Sequence, residues 1–89
     1  MPYTILLHPK AANTLKKTDE KQKTRITEKL KELKNHPEKS GKHLKYSEFR
    51  SLRIGDYRAI YEIKTDKKQV TILYIGHRKN VYDDFSKLF

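Results

Sequence analysis

Apolar positions recur with a helical period in the first half of the chain and with a strand period in the second. Residues 3–7 (YTILL) form a short apolar run that predicts a first strand. Pro9 follows and suits the first turn of a helix, and Ala11, Ala12 and Leu15 then share one helical face, which predicts a helix to about Lys17. Asp19 with Gln22 three residues later is a capping-box pattern for a second helix. In that helix Ile26, Leu30 and Leu33 fall at i, i+4 and i+7, while Glu28, Lys29, Lys31 and Glu32 face outward. Pro37 places its end near Asn35. Two helices joined so tightly make an antiparallel hairpin. Residues 36–45 (HPEKSGKHLK) read as a basic loop.

From Phe49 onward the period is two. Residues 49–54, 57–64 and 70–77 are rich in aromatic and β-branched side chains and predict three strands. Gly55-Asp56 between the first two fits a type II′ hairpin turn, and residues 65–68 (TDKK) separate the second and third. Residues 81–89 have the length of a helical turn or two, with little chain to hold them in place. The order defines an α+β fold: N-terminal strand, antiparallel helical hairpin, three-stranded antiparallel β-meander and short C-terminal helical tail. It forms a single domain over residues 1–89, with the helices expected on one sheet face.

The two-residue turn fixes a register. Ile54 lies opposite Tyr57, Leu52 opposite Ala59, and Arg53 opposite Arg58. Leu52, Ile54, Tyr57, Ala59, Tyr61 and Ile63 then form the face that packs on the helices. Arg53 and Arg58 project side by side from the other. Like charges directly opposite destabilise a sheet, so this pair makes sense where an anion can sit between them. An odd second loop, of three or five residues, puts Tyr74 and Arg78 on the Arg58 face and Leu73 and Ile75 in the core; a four-residue loop reverses this parity. The odd loop is expected, because it keeps Leu73 and Ile75 with the core.

Charge sharpens that picture. The 89 residues carry 21 Lys and Arg against 11 Asp and Glu, a formal net charge of +10. Residues 1–45 contribute +7, almost all through Lys, whereas four of the five arginines (Arg50, Arg53, Arg58 and Arg78) lie in the second half. Lysine supplies a hydrated general field, and arginine a planar fork suited to phosphate. A polyanionic partner is implied. The chain has no cysteine, which excludes disulfides, thiolate metal sites and a thiol nucleophile. The apolar run at residues 5–7 is too short for a signal peptide or membrane span, so the cytoplasm is the expected compartment and no membrane partner is expected. The four histidines are scattered, and no spacing suggests a metal or other cofactor.

The motifs LRIGDYRAIYEI (residues 52–63) and IGHRKNVY (residues 75–82) resemble the RelE branch of the RelE/ParE toxin superfamily, small basic toxins of type II toxin–antitoxin pairs. The similarity covers nearly the whole chain. It implies the compact α+β fold of small microbial ribonucleases, cleavage of mRNA in the ribosomal A site, translation inhibition, and inhibition by a cognate acidic RelB-like antitoxin. The family's catalytic Arg, C-terminal Arg and C-terminal Tyr fall on Arg58, Arg78 and Tyr82. Two lysines that well-known members carry align with Phe49 and Ser51, which leaves Arg50, Arg53 and Lys45 as the bases available for their work. The alternatives are a ParE-like inhibitor of DNA gyrase, and a non-catalytic basic module that binds RNA or ribosome. The His-Arg…Val-Tyr ending favours the nuclease.

Such an endoribonuclease uses the 2′-OH of RNA as its nucleophile and needs no metal. Its site must stabilise the charge of the phosphorane and move two protons. Arg58 and Arg78 suit the first task, and Tyr82 can stack on a base. His77 is the only histidine beside the motif, and histidine is the side-chain type suited to proton transfer near neutrality, although strand parity starts it on the face opposite Arg78. Arg50, Arg53, Lys45 and Tyr74 complete the expected RNA-binding set.

Overall fold

His8 and Asp19 punctuate the N-terminal half. In the computed structural model, which describes residues 2–44 and 47–88, β1 (Thr4–Leu7) leads into α1 (Pro9–Lys17) and α2 (Glu20–Glu32). His8 Nδ1 accepts from the Lys10 N–H at 3.2 Å, and Asp19 Oδ1 from the Gln22 N–H at 3.0 Å. Each helix therefore starts on a side-chain cap. The stretch expected to be a loop is partly ordered into α3 (Pro37–Ser40) and β2 (Lys42–His43), with Pro37 buried in the first turn of the short helix.

The meander comprises β3 (Arg50–Ile54), β4 (Tyr57–Lys64) and β5 (Gln69–His77), followed by α4 (Val81–Leu88). The sheet order is β1-β5-β4-β3-β2, and β1 runs parallel to β5. Gly55 has φ +61°, and Lys68 is the only non-glycine with positive φ among the described residues. A positive φ at the first central position alone is the type II′ pattern expected. Its register is the expected one: Ile54 opposite Tyr57, Leu52 opposite Ala59, Arg53 opposite Arg58.

The second hairpin departs from expectation. Lys64 pairs with Gln69, so the loop has four residues, with Lys68 in the left-handed region at φ 52°. Taken alone that would reverse the parity of β5. A β-bulge reverses it again: Tyr61 pairs with Ile72 but Ile60 with Tyr74, leaving Leu73 as the extra residue. Beyond the bulge Ala59 faces Ile75, Arg58 faces Gly76 and Tyr57 faces His77. Ile75 therefore lies on the hairpin side and Tyr74 on the other, as expected. Leu73 does not join the hairpin core; the bulge turns it to the opposite face.

Two apolar clusters follow from this geometry. On the hairpin side Leu52, Ile54, Ala59, Tyr61, Val70, Ile72 and Ile75 pack with Ala11, Ile26, Leu30 and Leu33. On the other side Ile60 and Leu73 pack with Val81 and Phe85 of α4, with Leu44, Phe49 and Tyr74 against them. The helices thus occupy both sheet faces, because Val81 and Phe85 need a surface to cover them. Among the described residues no helix is long and apolar enough to cross a membrane.

Candidate functional site

Ser51 lies in the middle of β3, paired with Ile60 and Lys42 and only 1% exposed. Its alternation with Leu52 turns it to the face away from the helical hairpin, the face of Arg53 and Arg58. Arg58 Nη1 donates to Ser51 Oγ at 3.1 Å. The Tyr82 hydroxyl, from the first turn of α4, donates to the same oxygen at 3.1 Å. A strand arginine and a helix tyrosine 24 residues apart in sequence therefore meet on one buried hydroxyl.

Gly76 makes this meeting possible. It lies opposite Arg58, and a Cβ there would stand 3.1 Å from Tyr74 Cε2 and 3.3 Å from Val81 Cγ2. Without that Cβ, Val81 and the Tyr74 ring close on the sheet, and the start of α4 comes down beside β3. Phe85 completes the seat, edge-on to Phe49 with ring centroids 5.3 Å apart.

The other expected residues are placed as follows. Arg53 is exposed opposite Arg58, and its Nε donates to the Gly55 carbonyl at 3.3 Å. Arg78 lies just past β5; its N–H donates to the Asp56 carbonyl at 2.8 Å, and its Nε stands 3.9 Å from Asp56 Oδ1. Tyr74 lies on the Arg58 side within the α4 cluster, and burial, then the negative charge of Asp84, push its phenol above the ordinary value near 10. His77 pairs with Tyr57 on the hairpin face, rings 6.0 Å apart, and its Nδ1 accepts from the Lys79 N–H at 3.2 Å. It is not brought to the Arg58–Ser51–Tyr82 cluster, in keeping with its strand parity.

Arg50 also faces the hairpin side. It pairs with Tyr61, and its Nη1 donates to the carbonyls of Glu38 at 2.9 Å and Gly41 at 3.4 Å. The Tyr61 hydroxyl donates to the Pro37 carbonyl at 2.8 Å, and burial raises its pKa against the opposing pull of Arg50. Lys45 lies outside the described residues. Ser51 is the functional candidate that sequence reasoning passed over. The available signal was a small polar side chain sharing strand parity with Arg53, in a strand whose other face carries Leu52 and Ile54 beside Arg50. Among the described residues no group of three His, Cys, Asp or Glu is placed to hold a metal ion.

This arrangement of strand, hairpin, meander and capping helix is the fold of the RelE toxins. A mutant of the Escherichia coli toxin RelE in the free state superposes with a TM-score of 0.80 at 21% identity, covering 100% of this chain and 99% of that one. The toxin–antitoxin complex RelBE2 from Mycobacterium tuberculosis contains a chain matched at TM-score 0.80 and 30% identity, covering 88% of this chain and all of that one. YoeB from Staphylococcus aureus, solved as a dimer, matches at TM-score 0.69 and 23% identity over 88% and 99% of the two chains. A comparison with curated proteins found no match. The family model described as the ParE toxin of type II toxin–antitoxin system, parDE, matches residues 5–82, and the chain belongs to that family. It is a toxin of a type II toxin–antitoxin system built on the RelE fold.

Proposed function

We propose that the protein is a ribosome-dependent endoribonuclease that cleaves mRNA in the A site and so inhibits translation. The observation that carries this reading is the convergence of Arg58 and Tyr82 on Ser51 Oγ, with Arg53 in register beside Arg58. In the reaction the 2′-OH attacks the adjacent phosphorus, the bond to the 5′-oxygen breaks, and the ends are a 2′,3′-cyclic phosphate and a 5′-OH. Negative charge builds on the phosphorane oxygens. The Arg58 guanidinium is preorganised in a half-buried position where such charge is stabilised more strongly than in water. Tyr82, 43% exposed, offers its ring face to a base and its hydroxyl to the backbone. Arg53 and Arg78 add exposed positive charge around the site. His77 faces away from the cluster, so this reading gives it no part in the proton transfers in the free toxin.

The partner that restrains this activity is an acidic RelB-like antitoxin, the kind of partner present in the RelBE2 complex. The toxin acts where ribosomes and mRNA are, in the cytoplasm.

A second reading is inhibition of DNA gyrase, favoured by the ParE description of the matching family model. Primer extension on mRNA after induction, with plasmid supercoiling measured in parallel, separates the two. Cuts within codons that vanish in Arg58→Ala support the nuclease. Relaxed plasmid with uncut mRNA supports the gyrase reading and overturns the nuclease.

A further inference from the structure

We infer that Ser51 is the positioning residue of the site: its buried hydroxyl holds the Arg58 guanidinium and the Tyr82 phenol in one fixed arrangement. The functional consequence rests on the nuclease reading; the positioning itself does not.

Apart from Tyr61, whose phenol is satisfied by the Pro37 carbonyl, Ser51 is the one buried residue with a polar side chain among the described residues. A buried hydroxyl is unfavourable unless it is hydrogen-bonded. A serine oxygen has two lone pairs and one proton, and Arg58 and Tyr82 occupy both lone pairs at 3.1 Å each. Two donors on one tetrahedral oxygen stand roughly 5 Å apart. That separation lets both turn to two oxygens of a single phosphoryl group. The serine oxygen thus holds the donors where an anion would recruit them.

The fold does not need this hydroxyl for its own stability. The ladder between β3 and β4 is complete without it, and alanine would fill a similar volume in the sheet. Arg58 and Tyr82 are partly exposed and can turn to water when the serine is replaced. What they lose is a common anchor. Three elements meet at Ser51 (β3, β4 and α4), so its loss uncouples the helix tyrosine from the strand arginine.

Three variants separate the acceptor from the volume. Ser51→Ala removes the hydroxyl, Ser51→Cys keeps the volume with a weak acceptor, and Ser51→Thr keeps the hydroxyl. In the free toxin, the heteronuclear NOE of the Arg58 Nε–Hε group reads the positioning, each variant being compared with the wild type. In Ser51→Ala and Ser51→Cys Arg58 should lose the rigidity it has in the wild type, with melting temperature lowered by no more than about 8 °C. Ser51→Thr should restore it; if the added methyl prevents folding, the alanine and cysteine variants carry the test. Cleavage at saturating ribosome–mRNA complex should fall about 10- to 100-fold in the first two variants, with half-saturation within about twofold, as expected for misplaced groups rather than lost binding. An Arg58 signal as rigid in Ser51→Ala as in the wild type overturns the inference. Mobile Arg58 in Ser51→Ala, combined with a wild-type toxin that leaves mRNA uncut, upholds the positioning and sinks the nuclease reading instead.

Discussion

Arg50 and Arg58 lie on neighbouring strands and do opposite things. Arg58 reaches the exposed sheet face and shares Ser51 with Tyr82, whereas Arg50 satisfies two backbone carbonyls beneath α3. Arg58→Ala should abolish growth arrest while costing about 1 kcal/mol of stability, because it removes one hydrogen bond but about 3 kcal/mol of transition-state stabilisation. Arg50→Ala should do the reverse, lowering stability by about 2 kcal/mol through lost charge-assisted bonds while the folded fraction stays toxic. Thermal unfolding beside a growth assay at matched expression checks both, and an inactive but fully stable Arg50→Ala would refute the assignment. Much of this was legible in the sequence. The two-residue Gly55-Asp56 loop leaves one register, so Arg53 opposite Arg58 follows from counting. The same counting sets Arg50 on the face of Leu52 and Ile54, although its residue type suggests RNA contact. Ser51 was not legible as a hub, because its value comes from Tyr82, which reaches it from 31 residues away.

At the scale of elements, α4 is held far better than its terminal position implies. Val81 is fully buried and Phe85 is 8% exposed, both against Ile60 and Leu73. This seat could not be read from sequence, because it exists only through the bulge that turns Leu73 away from the hairpin core. A four-residue loop and a bulge each reverse strand parity; counting residues 65–68 allowed the loop, but nothing in the sequence marks the bulge that reverses the parity again. The parallel pairing of β1 with β5 is hidden for a related reason: it joins segments more than sixty residues apart. Phe85→Ala should cost about 3 kcal/mol, release α4 and carry Tyr82 away from Ser51, so that growth arrest weakens with the helix. Amide exchange in residues 81–88 should rise before the rest of the domain opens. Two phenols add a pH signature. Burial raises the pKa of Tyr61, and burial with Asp84 raises that of Tyr74, above the ordinary value near 10. The folded protein therefore holds these protons more tightly than the unfolded chain. Their contribution is complete below about pH 10 and is lost as the pH climbs past it. Melting temperature should fall above that pH, and less steeply in Tyr61→Phe and Tyr74→Phe; parallel curves for all three proteins would remove the phenols from the account.

Across the whole molecule the two kinds of positive charge lie on different elements. The lysines of α1 and α2 surround the hairpin, and the arginines gather on the meander. An edge strand completes the surface: Leu6 and Leu7 of β1 are 40% and 41% exposed. Beside them an open groove of about 240 Å³ is lined by Ile5, Leu7, Leu15 and Leu30, with Lys31 and Lys34 at its margin. Such a surface suits an acidic chain that carries apolar anchors. Approach should be governed by the long-range field of a +10 molecule, and residence by the anchors once water is expelled. The Debye length shrinks from about 30 Å at 0.01 M salt to about 8 Å at 0.15 M, so the field is felt over much less distance at the higher value. The association rate with an antitoxin of the proposed acidic kind should therefore drop at least about tenfold across that range, while the dissociation rate changes much less. Stopped-flow mixing over a salt series measures both. Salt acting mainly on dissociation would mean that short-range ion pairs hold the complex and that the lysine field does not recruit the partner. Replacing Lys31 and Lys34 by Gln divides the two further: a field-driven encounter slows modestly, in proportion to the charge removed, whereas loss of contacts at the groove margin shortens the lifetime of the complex.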